Sequence, residues 1–151
     1  MPNDALWTAY ANTILLIGDD PQIKVDLRQP VCDDLRHLLT KLGLGSVFAI
    51  VTPFDPRGVR DPAWKNQRRY EHARALLEAR NLRFTAADGE SPDAAHRERG
   101  FALAVSRSEA AALARELEQL ALYWFDGEAF WIDGALAASA PHRLPCVPQH
   151  E

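Results

Sequence analysis

Apolar positions along this chain recur with two periods, one of two residues and one of three to four, and they change over several times. Thr13–Ile17 is a short β-rich apolar run, and Ile23–Leu27 alternates apolar and polar, with Lys24 and Asp26 on one wet face. Gly18-Asp19-Asp20-Pro21 between them is turn chemistry, so the two runs predict a hairpin. Val31, Leu35, Leu38, Leu39 and Leu42 then fall on one helical stripe, with Pro30 suited to the first position, Asp33 and Asp34 at the positive end and Gly43 as the stop. Ser46–Val51 is nearly continuous apolar sequence, the pattern of a central strand covered on both faces.

A proline-stiffened loop, Thr52–Gly58, follows, and Asp61-Pro62 opens a helix expected to run to about Arg80, with Asn66, Tyr70, Ala73 and Leu77 on its inner stripe. Leu82–Thr85 predicts a strand, the stretch from Ala86 to Arg99 a polar loop, and Phe101–Val105 another apolar strand. Ser106-Arg107-Ser108-Glu109 has the form of a capping box at the start of an Ala- and Leu-rich helix expected to reach about Leu120. Leu122–Phe125, Asp126-Gly127 and Glu128–Ile132 give the clearest hairpin signal. The order ββαβαββαββ implies an α+β (α/β sandwich) fold: one mixed sheet with about three helices. A single domain over residues 1–133 is expected, and the proline-containing stretch 134–151 reads as a flexible C-terminal tail.

A length of 151 residues suits one domain, and the 47% apolar and 25% charged fractions are ordinary for a globular protein. A net charge of −4 argues against a duplex-binding surface, although seven basic residues fall between Arg57 and Arg80. The start of the chain lacks a basic and an apolar signal region, and the longest apolar stretch is too short to span a bilayer, so a cytoplasmic protein with no membrane association is expected. Cys32 and Cys146 form no C-x-x-C pair and read as free thiols.

Three places could carry chemistry. The loop after Ser46–Val51 holds Thr52, Asp55 and Arg57, and the next helix adds Asn66, Arg69 and Tyr70; ligands in α/β sheets favour such junctions at the carboxyl ends of strands. The structural alternative is that Asn66 ties down the loop and Asp55 pairs with Arg69. At Ser106–Ser108, end groups of the helix with Arg107 could hold an anion, but Glu109 competes for them. In the C-terminal hairpin, pairing Phe125 with Glu128 would put Leu122, Trp124, Ala129 and Trp131 on one face, and Tyr123, Phe125, Phe130 and Ile132 on the other. One face could then serve as an interface, with Tyr123, Trp124, Phe125, Phe130 and Trp131 as its contacts. His37 and His72 read as solvent-facing, His96 sits in the polar loop, and His142 with Cys146 lacks companions, so neither a metal site nor a cofactor is expected. Ala87–Glu98 reads as a surface loop or a lid.

The aromatic pair Trp7 and Tyr10, the segment Phe48-Ala49-Ile50-Val51-Thr52-Pro53-Phe54-Asp55-Pro56 followed by Asn66 and Arg69, and Ala104-Val105-Ser106-Arg107-Ser108-Glu109-Ala110 resemble the bacterial family of unknown function 3293 over about residues 5–132. Asp55 stands where that pattern has asparagine. The resemblance implies the fold and a bacterial origin, and carries no activity. Two functions compete: a non-catalytic binding or protein-interaction module, self-associating as a homodimer through the aromatic hairpin, and a small-molecule or nucleotide-binding enzyme built on the Thr52–Arg57 loop. In the second, Asp55 would be the base, Arg69 the anion clamp and Asn66 the orienting amide.

Overall fold

The computed structural model describes residues 4–146. Its sheet runs in the order β2-β1-β4-β6-β3-β7-β8-β9. The strands are β1 (Ile14–Ile17), β2 (Ile23–Asp26), β3 (Phe48–Val51), β4 (Phe84–Glu90), β6 (Phe101–Leu103), β7 (Ala121–Phe125), β8 (Phe130–Gly134) and β9 (His142–Arg143), while the short β5 (Arg97–Glu98) pairs with β4 off the main path. The α+β class stands. Within the sheet, though, every pairing among the described strands is antiparallel where a mixture was expected. Among the described residues four helices accompany it, α1 (Asp4–Ala11), α2 (Asp33–Thr40), α3 (Ala63–Ala79) and α4 (Arg107–Glu116), with a 3₁₀ turn at Pro56–Gly58. No helix among the described residues is long and apolar enough to cross a membrane.

β3 is the pivot of the sheet. All four of its residues are buried, and it lies between β6 and β7, as its unbroken apolar run predicts. Alternate side chains serve two cores. Phe48 and Ile50 point to one that includes Trp7 and Ala11 of α1, Leu39 of α2, Leu15, Tyr123, Phe125 and Phe130. Ala49 and Val51 point to the other, which α3 fills with Tyr70, Ala73 and Leu77, and α4 with Ala110, Leu113 and Ala114. Helices thus cover both faces of the sheet, and each fully buried leucine or phenylalanine contributes about 1.5–3 kcal/mol.

The last hairpin shows how register and face can part company. Phe125 pairs with Phe130 rather than Glu128, because Asp126 takes the turn over: its Oδ1 accepts from Glu128 N and Ala129 N at 2.8 Å, and its Oδ2 from Trp131 Nε1 at 2.7 Å. The slip is two residues, and side chains alternate with a period of two, so the face assignments survive. Trp124 lies opposite Trp131, and Tyr123 opposite Ile132. Both faces are covered within the chain; Tyr123, Trp124, Phe125 and Phe130 are all buried and Trp131 is half-buried.

Other elements depart from the sequence pattern. α1 arises where only a lead-in segment was expected, and its Trp7 and Ala11 are spaced i, i+4 to reach the core. α2 begins after Cys32 rather than at Pro30 and leaves Leu38 exposed, with Gly43 at φ +79° ending the segment. β4 runs on to Glu90, through residues expected to be loop, because β1 and β5 both pair with its second half. The expectation of a loose tail from 134 also changes: β9 pairs with β8, and Leu144 is buried against the first core; residues 147–151 lie outside the described residues. Cys32 and Cys146 are both free and exposed.

Gly100 joins β5 to β6 at a point where backbones touch. A Cβ there would lie 2.5 Å from Val51 O and 2.9 Å from Ala87 O, neither of which is a movable side chain. Gly100→Ala is therefore expected to lower stability by about 1–3 kcal/mol or more. Urea unfolding checks this, and a midpoint unchanged from the parent would show that β3 and β4 can part to admit a methyl group.

Candidate functional site

Asp55 follows the buried end of β3, and the chain there turns through a left-handed conformation, φ 47°, ψ 60°, with Arg57 also at φ 60°. Non-glycine residues adopt this region only when their surroundings hold them. Here the holder is Asn66, one turn into α3. Its Oδ1 accepts from Asp55 N at 2.9 Å, and its Nδ2 donates to Asp55 Oδ1 at 2.8 Å. Asp61 N donates to the same Oδ1 at 2.9 Å. Two contacts therefore fix one oxygen of a carboxylate that is 7% exposed, and a third holds the backbone beneath it. The other oxygen, Oδ2, takes no hydrogen bond among the described residues and faces His96 Nε2 at 3.8 Å and Arg60 Nε at 4.0 Å.

His96 and Glu98 reach this point from the β4–β5 ribbon. Ser91 closes the ribbon: its Oγ accepts from His96 N at 3.0 Å, and its N–H donates to His96 O at 2.9 Å. Residues two apart on an extended chain point to one side, and His96 and Glu98 do so, with His96 Nε2 2.8 Å from Glu98 Oε2. Arg97 between them points away, to Asp88 at 2.8 Å. Burial pushes the Glu98 carboxyl above its ordinary range; His96 pulls it back, while the charge of Asp55 adds to the rise. Burial likewise raises the hydroxyls of Tyr10 and Tyr123, and the charge of Glu98 raises both further. The Tyr123 hydroxyl donates to Tyr10 O at 2.7 Å.

These groups share a cleft of about 330 Å³. Leu15, Ile50, Ala87 and Leu122 give it apolar walls, Tyr10 and Tyr123 line it, and Thr52, Asp55, His96, Glu98 and Gln119 supply polar groups. Gln119 is buried and donates from Nε2 to Phe54 O at 3.0 Å, tying the end of α4 to the Thr52 loop. Asp55, His96 and Glu98 each offer one ligand atom, all within 4.8 Å of one another. That set of one imidazole and two carboxylates suits a divalent ion or proton exchange with a polar ligand.

Of the residues singled out in the sequence, Thr52 and Asp55 line this cleft, and so does Tyr123, which the sequence pattern places at an interface. Thr52 Oγ1 also donates to Arg99 O at 2.6 Å, anchoring the loop. Asn66 acts through Asp55. Arg69 does not pair with Asp55: Asp61, at the foot of the same helix, takes it at 2.8 Å. Arg57 lies outside, paired with Glu118 at 2.7 Å. Tyr70 is buried, stacked on Phe101 with ring centres 4.7 Å apart, and the Arg99 guanidinium lies 3.9 Å from its ring centre. The capping box at Ser106 and Glu109 forms in both directions, and Arg107 is taken by Asp133 through two hydrogen bonds of 2.7 Å, so an anion would find that helix start already filled.

His96 and Glu98 were not singled out from the sequence. The one signal that could have found them is the i, i+2 spacing His-x-Glu, which matters only once the stretch is known to be extended.

Fold and cleft together define a small α+β domain with one acidic, histidine-containing cavity. Residues 51–122 match the model of the family described as "Protein of unknown function (DUF3293)". The match contains Asp55, Asn66, His96 and Glu98, and leaves out Tyr10. No curated protein and no solved structure matches the chain.

Asn66→Ala removes two hydrogen bonds from Asp55 and strands its buried N–H, so a loss of about 1–3 kcal/mol is expected. Arg57→Ala breaks only an exposed ion pair and is expected to cost less than about 1 kcal/mol. Chemical unfolding of both variants tests the contrast, and equal losses would mean that Asn66 does not hold the turn.

Proposed function

We propose that this protein binds a small molecule in the cleft between β1, β4 and the Thr52 loop, and that Asp55, His96 and Glu98 meet the polar end of that molecule. The observation that carries this reading is the combination within one cavity of about 330 Å³ of apolar walls and a single cluster of ionisable groups. Pockets of this size with a few convergent polar groups are the usual form of small-molecule sites. Two carboxylates face one nearby guanidinium, Arg60, so the ligand's polar end is a hydrogen-bond donor or a cation.

The competing reading, a non-catalytic protein-interaction module that self-associates through the C-terminal hairpin, rested on an apolar face in need of cover. The hairpin's own chain covers it, which leaves that reading without its main support. The enzyme reading keeps Asp55 at its centre, while Arg69, engaged by Asp61, is replaced as the nearest guanidinium by Arg60.

Amide correlation spectra in the presence of a chelator test the cleft directly. Fragments pairing an aromatic ring with an amine, amidine or hydroxyl should shift signals of Thr52, Asp55, Glu98 and Tyr123, with Kd values of roughly millimolar order. Leu120→Trp, at the cleft wall, should weaken them. Shifts scattered over the surface, or no binding by any fragment class, would sink the reading.

A further inference from the structure

The three donors at the polar end of the cleft are arranged in a way that a hydrogen-bonded cluster alone does not explain. Asp55 is 6% exposed, yet its Oδ2 is left without a hydrogen bond and turned toward His96 Nε2. Its Oδ1, by contrast, is held by Asn66 and Asp61. Metal-ligating carboxylates are themselves held by hydrogen bonds, and Asp55, fixed through Oδ1 with Oδ2 turned to the cleft, has that form. His96 and Glu98 are each 31% exposed, so they stand on the cleft wall rather than in the core.

The distances fit a shared ion. Nitrogen and oxygen donors bind zinc-sized cations at about 2.1 Å, so two donors of one ion lie within about 4.2 Å of each other. His96 Nε2 is 2.8 Å from Glu98 Oε2 and 3.8 Å from Asp55 Oδ2. All three atoms lie within 4.8 Å, so the remaining pair has at most about half an ångström to close. Two carboxylates also match the charge of a divalent cation, and an imidazole with two carboxylate oxygens suits Zn²⁺, Mn²⁺ or Fe²⁺ better than a soft ion.

We infer that Asp55 Oδ2, His96 Nε2 and Glu98 Oε2 form a divalent-cation site of the zinc–manganese type, whose remaining coordination positions face the cleft. The inference rests on the small-molecule reading of that cleft and specifies what the ligand's polar end meets: an ion that takes an oxygen donor. Arg60, 74% exposed and 4.0 Å from Asp55 Oδ2, holds part of the same space by charge and swings clear when the ion enters.

Calorimetric titration of the whole chain with Zn²⁺ and with Mn²⁺ tests this, together with the broadening of amide signals by Mn²⁺. One ion per chain is expected, with broadening centred on Asp55, His96 and Glu98. His96→Ala and Glu98→Gln should each weaken binding more than the roughly 10–100-fold that loss of a ligand's hydrogen-bond partner costs, and Asn66→Ala should fall in that range. Arg60→Ala should bind as tightly or more tightly. The isosteric Asp55→Asn, checked for folding by its spectrum, should lose the site. Unchanged affinity in His96→Ala and Glu98→Gln, or broadening centred on His142 and Cys146, overturns the inference. Fragments that bind in the chelator while neither ion binds would leave the cleft reading standing without the metal; a bound ion with no fragment bound would do the reverse.

Discussion

The Asn66 amide is the contact on which the rest of the site depends. β3 ends in the middle of the sheet, and its chain must leave toward α3 through a turn that L-residues adopt only under constraint. Asn66 supplies the constraint from both sides at once, accepting from the Asp55 backbone and donating to its carboxylate. An aspartate here could not donate, and a leucine would leave a buried N–H and a carboxylate unmet. A polar residue on the inner stripe of α3 is thus the piece that lets an apolar strand lead into a buried carboxylate turned toward the cleft.

The cleft gains its character from where its parts come from. Asp55 sits in the loop that leaves the central strand, while His96 and Glu98 ride on a ribbon beside β4 that Ser91 and a short ladder close. The tyrosines add a further element, because Tyr10 comes from α1 and Tyr123 from β7, so the cavity is bounded by segments from both ends of the described chain. Burial there raises the hydroxyls of both tyrosines and the Glu98 carboxyl together, and so favours their neutral forms beside the Asp55 charge.

Period and patterning made much of this legible before any coordinates. The inner stripe of α3 and the two faces of the last hairpin follow from periodicity, the buried run of β3 from unbroken apolar sequence and the capping box of α4 from Ser-x-x-Glu, all properties of the local chain. The site was legible by half. Asn66 on an apolar stripe announced a buried partner, and Asp55 in a proline-stiffened loop was the nearest candidate. His96 and Glu98 stayed hidden because Phe84–Glu90 and the residues after it show no alternation; that segment is extended because β1 and β5 pair with it, a fact of tertiary structure. The same holds for Arg69, which pairs with Asp61 while Asn66 takes the Asp55 carboxylate, a choice made in three dimensions. The tail after Gly134 likewise gave no periodic signal, since β9 contributes only two residues to the ladder.

The two-residue slip in the last hairpin bears on how this protein can change over evolutionary time. Its two cores differ in content: the hairpin adds Phe125 and Phe130 beside Phe48 in one, and Leu122 and Trp124 beside Phe101 and the alanines of α3 and α4 in the other. Insertions or deletions at the Asp126–Ala129 turn that come in pairs keep every side chain of β8 facing its own core. A single-residue change, unless a bulge absorbs it, would transpose the two sets and ask each core to accept the other's volume. Length variation at this turn among related chains should therefore be even-numbered, a constraint on lineage written by the pleat of a strand.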